Sequence, residues 1–179
     1  MKIISLEAEK YYKTAYDLFF YEENSKSARK YVNLALNLNP NHKRALRLLG
    51  NILILEDKIN QATKVWQRLN EITKGDFEVN SKLAFCYEKK AQYDLALEFC
   101  AKSAKEVSLG DFEKMGTLYA LKIELLLQIG KKACAQNILK NAIRNLSQEE
   151  AQNLRSRFDY LPIGANSGVI EFKKSQKAL

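Results

Sequence analysis

The chain has 179 residues, 46% of them hydrophobic and 28% charged, with only 7 Gly and 2 Pro. That size suits one domain or one continuous repeat array, and so few turn formers argue against disorder and many-stranded sheets. The net charge of 29 − 21 = +8 is dispersed, half of it in residues 41–75, and no run of five or six like charges forms a basic tail that would coat nucleic acid.

Apolar spacing predicts helices almost throughout. The amino-terminal residues Ile3, Ile4 and Leu6 are too few for a signal-peptide core, and no window approaches a membrane span, so a cytoplasmic protein without membrane insertion is expected. Ser5 is read as the N-cap of a first helix reaching about Tyr21, with Tyr12, Ala15, Tyr16, Phe19 and Phe20 at helical spacing. Ala28, Tyr31, Val32, Ala35 and Leu36 stripe a second helix, which Asn39-Pro40 ends. Leu46, Leu49, Gly50, Leu53 and Ile54 mark a third helix. Ala62, Val65, Trp66 and Leu69 mark a fourth, closed by Gly75, and Asp76 caps a fifth.

The best-defined stretch follows, residues 83–104, LAFCYEKKAQYDLALEFCAKSA. It puts Leu83-Ala84 and Tyr87 on one helix, and Ala96 and Cys100 on the next. The same columns recur at one constant step through the chain: Ala28, Ala62 and Ala96; Val32, Trp66 and Cys100; Ala35, Leu69 and Ser103; Tyr16, Gly50 and Ala84; Phe19, Leu53 and Tyr87. Chance amphipathic helices do not keep such a register.

These residues resemble the tetratricopeptide repeat, a helix-turn-helix unit of about 34 residues. Residues 9–42 carry Ala28, Val32, Ala35 and Pro40. Residues 43–76 carry Leu49-Gly50, Leu53, Ala62 and Trp66, and residues 77–110 carry Leu83-Ala84, Tyr87, Ala96 and Cys100. A degenerate fourth unit spans 111–146. Its Ala135, Leu139 and Ala142 arrive late, since the constant step would put those columns at Gly130, Cys134 and Asn137. Ile123 stands there where a small residue is expected, as Tyr16 does in the first unit. Ser147-Gln148-Glu149-Glu150 opens a capping helix over 147–161. Residues 162–179 are read as a flexible link followed by a short basic tail. The resemblance implies an all-α fold, a right-handed superhelical α-solenoid of about nine helices, over residues 1–161.

No motif points to catalysis. His42, the single histidine, has no neighbouring Cys or carboxylate pair and reads as a structural loop residue. No phosphate loop, dinucleotide fingerprint or nucleophile elbow is present. Cys86, Cys100 and Cys134 lack C-x-x-C spacing and read as buried reduced thiols. Neither an enzyme nor a bound cofactor or metal is expected.

By resemblance the working surface is the concave groove lined by the first helix of each repeat. The candidate peptide-binding residues are Lys10, Lys13, Asp17, Phe20, Arg44, Arg47, Asn51, Ile54, Lys82, Phe85 and Lys89. The cations predict affinity for an acidic segment, and Phe20, Ile54 and Phe85 predict an apolar strip beside them. Lys13 and Arg47-Asn51 begin a carboxylate clamp like that of chaperone-binding relatives. Asp17, Leu48, Thr117 and Leu121 break it in either register, so recognition of a heat-shock tail is not expected. The expected function is a non-catalytic adaptor or scaffold holding a protein segment. The alternatives are a small chaperone of a bacterial secretion or assembly system and, less favoured, a nucleic-acid binder.

Overall fold

The structure is a computed structural model describing residues 2–108 and 110–162, with side chains described from Ser5 onward. The link and tail anticipated beyond Pro162 lie outside the described residues. Nine helices run through the described chain: α1 Lys2–Phe20, α2 Ser25–Leu38, α3 Lys43–Leu55, α4 Ile59–Thr73, α5 Phe77–Lys89, α6 Tyr93–Lys105, α7 Phe112–Gln128, α8 Lys132–Asn145 and α9 Gln148–Arg157. No strand occurs among the described residues, and no helix is long and apolar enough to cross a membrane.

Helix starts follow the capping residues. Asn24, Asp76, Asp111 and Ser147 each accept a backbone N–H from three residues ahead, satisfying a donor that the first turn leaves unpaired. Ser5 has no such role, because α1 begins at Lys2 and Ser5 lies inside it. Each turn within a helix pair carries one residue in the left-handed region: Glu23 (φ 52°), Asp57 (φ 55°), Ala91 (φ 54°) and Gly130 (φ 76°). Their spacing repeats the sequence period in the backbone itself, including the longer step into the fourth pair.

Each helix packs on the next, and the odd-numbered helices also approach one another, α1 on α3, α5 on α7 and α7 on α9. No even-numbered pair packs to a comparable degree among the described residues. The odd-numbered helices therefore lie on the inside of a curved stack, as expected of a solenoid whose units meet only their neighbours. The core is continuous. Ala15, Ala28, Val32, Ala45, Leu48 and Ile52 join α1, α2 and α3. Leu46, Leu53, Trp66, Leu69 and Leu83 carry it onward to α5, and Ala84, Cys100 and Leu118 link α5 and α6 to α7. Ala120, Ile123, Ala135, Leu139, Leu154 and Phe158 close the far end.

Trp66 is fully buried, and a Cβ placed on Gly50 would fall 2.5 Å from its Cε2. The α3–α4 pair thus meets where one residue lacks a side chain and the other is the largest available. The fourth pair reaches the same end differently. Helix α7 has 17 residues against 13 in α5, about one extra turn. Its small residues are Gly116 and Ala120, ahead of a fully buried Ile123. A Cβ on Gly116 would meet Glu150 Oε2 at 2.5 Å, so α9 sits directly against it.

Candidate functional site

The turn between α1 and α2 comprises residues 21–24, one more than the turns 56–58 and 90–92. That extra residue shifts α1 by one position relative to the register of the other units. Ala15, not Tyr16, takes the close-packing place of Gly50 and Ala84, and it is completely buried. Tyr16 is released to the surface at 37% exposure.

The consequence for the inner helix faces is direct. Tyr12, Tyr16 and Phe20 on α1 align with Arg47, Asn51 and Leu55 on α3 and with Ser81, Phe85 and Lys89 on α5. On α1 the rings form a ladder, with centroids of Tyr12 and Tyr16 6.1 Å apart and those of Tyr16 and Phe20 4.4 Å apart. Phe20 is 52% exposed and Leu55, at the end of α3, is 70% exposed. On α5 the Lys89 ammonium lies 5.3 Å from the centre of the Phe85 ring, a cation–π contact.

Several of the expected residues do not fall in this row. Lys10, Lys13 and Asp17 correspond to Ala45, Leu48 and Ile52, which are buried against the preceding helix pair. No helix pair precedes α1 among the described residues, so these three charged side chains stand exposed on the end of the stack. Ile54 is half-buried and packs on the central core rather than pointing into the groove. Lys82 takes the position of Leu48 and is half-buried on the side of α5 that faces the second helix pair.

The arginines are present but engaged. Arg44 donates to Glu9 at 2.8 Å and lies 5.0 Å from the Tyr12 ring centre. Burial leaves the Tyr12 phenol above its usual pKa, although Arg44 pulls it down. Arg47 bonds both Asp76 and Glu78. Burial opposes its charge, but those two carboxylates outweigh burial and raise its pKa. His42, nearly buried, accepts the Ala45 N–H through Nδ1 at 3.2 Å and so caps α3. Its Nε2 then donates to Glu9 at 3.1 Å. The structural role expected of His42 is thus a specific one.

Two features remain open for a ligand. Asn51 makes no side-chain hydrogen bond among the described residues, and its amide can both donate to and accept from an extended backbone. In the aligned register Tyr16, Phe20, Leu55 and Phe85 fall on the same row of helix faces. Toward the carboxyl-terminal end the inner helix faces turn polar. Glu124 accepts from Arg157 at 2.6 Å, and burial, helped by Glu124, raises the Glu88 pKa against the pull of Lys89 and Arg157. No group of three potential metal ligands occurs among the described residues. Tyr16 is an exposed residue of this row that the expected set does not include. Its signal is Ala15, a small residue standing next to the expected column.

No protein-family model matches the chain, and no curated protein matches it. Solved structures do. A MamA RS-1 double mutant superimposes with a TM-score of 0.68 at 13% identity, over 86% of this chain and 85% of that one. PilF of Pseudomonas aeruginosa gives 0.64 at 13%, over 88% and 71%. YrrB, described as a tetratricopeptide protein with an unusual peptide-binding site, gives 0.59 at 16%, over 83% and 76%. Identity this low speaks for architecture alone, and there it agrees with the repeat register and the nine stacked helices of the described chain: the chain has the all-α solenoid fold of the tetratricopeptide-repeat proteins.

Proposed function

We propose that the protein is a non-catalytic scaffold whose concave face holds an extended, largely apolar segment of a protein partner. The observation that carries this reading is the line of Tyr16, Phe20 and Leu55, all exposed on adjoining inner helices in the same row as Asn51, whose amide has no partner among the described residues. A merely solvated face seldom aligns large apolar side chains in this way. The apolar strip, not the basic patch, supplies the affinity, because Arg44 and Arg47 already face carboxylates of their own chain. The same engagement weighs against nucleic acid, which needs cations free for phosphates. YrrB, by its description, is a similarly folded chain with a peptide-binding site. A chaperone shielding an apolar client stretch is the second reading, favoured by the same exposed rings.

Selection of a displayed random-peptide library on the protein tests the proposal. Enriched peptides are expected to be rich in aliphatic and aromatic residues. They should lose at least tenfold in affinity against a Phe20→Asp, Leu55→Asp double variant whose circular dichroism is unchanged. Equal binding to that variant places recognition outside the groove and refutes the reading.

A further inference from the structure

The stack has a hole, and its cause is written in the repeat. Trp66, Gln67 and Asn70 on α4 correspond, one repeat later, to Cys100, Ala101 and Ala104 on α6. Three large or medium side chains are replaced by three small ones. Helix α7, with its extra turn, does not close the gap. A cavity of about 580 Å³ remains between α6 and α7, within the range that takes a sizeable apolar ligand. Met115 and Leu118 form its far wall. Tyr119 and Leu126, shared with the core of α7, α8 and α9, carry it toward α8. Lys122 is the one charged residue lining it among the described residues.

The described chain ends close by. Gln136 of α8 donates to the Pro162 carbonyl at 2.9 Å. Gln136 and Leu126 stand at similar distances on either side of the Gly130 turn, so in antiparallel helices they lie within about 3 Å of each other along the axis. Residues 163–168 can extend about 20 Å, enough to pass a helix about 10 Å across. The next residues are Val169-Ile170-Glu171-Phe172, three large apolar side chains around one carboxylate. The cavity offers the complement, apolar walls around one ammonium.

We propose that residues 169–172 of the same chain occupy the α6–α7 cavity. In extended backbone Ile170 and Phe172 share one face, and that face enters against Cys100, Ala101 and Ala104. Glu171 on the other face meets Lys122 at the rim. The carboxyl-terminal segment is then an internal ligand that replaces what the sequence removed from α6, and it is separate from the concave groove.

The test uses the full chain and its methyl NMR spectrum. Phe172→Asp should move the Met115 ε-methyl and Leu118 methyl resonances, because a ring leaves their surroundings. A synthetic peptide of residues 167–179 added to this variant should return them toward their original positions in a saturable way. Ala104→Trp, or Ala101→Leu should that variant misfold, fills the cavity and should abolish the return. Unmoved resonances in Phe172→Asp overturn the proposal, as does undiminished peptide rescue in both filled variants. Resonances in the unaltered chain that change on dilution also overturn it, since the occupant is then the segment of a second copy.

Discussion

The contact between Gly50 and Trp66 offers the sharpest test of the packing. Gly50→Ala adds one Cβ, which would lie 2.5 Å from Cε2, 2.6 Å from Nε1 and 2.8 Å from Cζ2 of the indole. Carbon atoms prefer about 3.5–4.0 Å, so the indole must retreat by about 1 Å inside a site where it is fully buried. Overpacking of this kind costs about 1–3 kcal/mol. Alanine returns about 0.5–1 kcal/mol as a better helix former than glycine. The net expectation is a loss of about 1–2 kcal/mol, equivalent to a melting temperature lower by about 2–8 °C for a chain of this size. Urea unfolding followed by circular dichroism measures it. In a Trp66→Phe background the side chain lacks the indole nitrogen and the fused second ring, and the cost of Gly50→Ala should largely vanish. A neutral or stabilising Gly50→Ala, or equal cost in both backgrounds, refutes the account of how α3 meets α4.

His42→Ala removes both the cap on α3 and the bond to Glu9, and should destabilise by about 1 kcal/mol in the same assay. Burial pushes the thiols of Cys86 and Cys100 up to about 11, whereas Cys134 is exposed; a thiol reagent at neutral pH should label Cys134 first and the other two only on unfolding. Those raised values also set a pH dependence. Their contribution to stability is fully present below pH 9 and is lost as pH rises through about 11, because the unfolded thiols ionise first. A Cys86→Ala, Cys100→Ala variant should show a shallower loss over that interval, judged by urea midpoints at several pH values.

Much of this architecture is legible in the residues because the core columns are set by spacing alone. Ala62, Trp66 and Leu69, and then Ala96, Cys100 and Ser103, fall at the same depth in successive helices. The first helix is displaced by one position from that register because nothing in residues 21–24 reveals a turn one residue longer, and one residue rotates a helix by about 100°. That rotation exchanges Lys13 and Asp17 for Tyr12 and Tyr16, moves Lys10 out of the row, and keeps Phe20, already expected there, beside them. The electrostatics are hidden for another reason. Arg47 meets Asp76 and Glu78 at the start of the following helix pair, a pairing that depends on how neighbouring units tilt. The volume missing from α6 is visible as Cys100, Ala101 and Ala104, but whether α7 fills it is decided by packing.

The left-handed turn residues carry a consequence of their own. Glu23, Asp57 and Ala91 hold side chains in a backbone state that favours glycine, and only Gly130 holds it freely. At about 1 kcal/mol for each such residue, the three turns keep a reserve of rigidity that the chain has not drawn upon. They lie at the tips of the helix pairs, next to Phe20 and Leu55 at the ends of α1 and α3 and further along the chain from Asn51. Substitution at these three positions would stiffen or soften the array turn by turn while leaving the side chains of the proposed recognition surface unchanged.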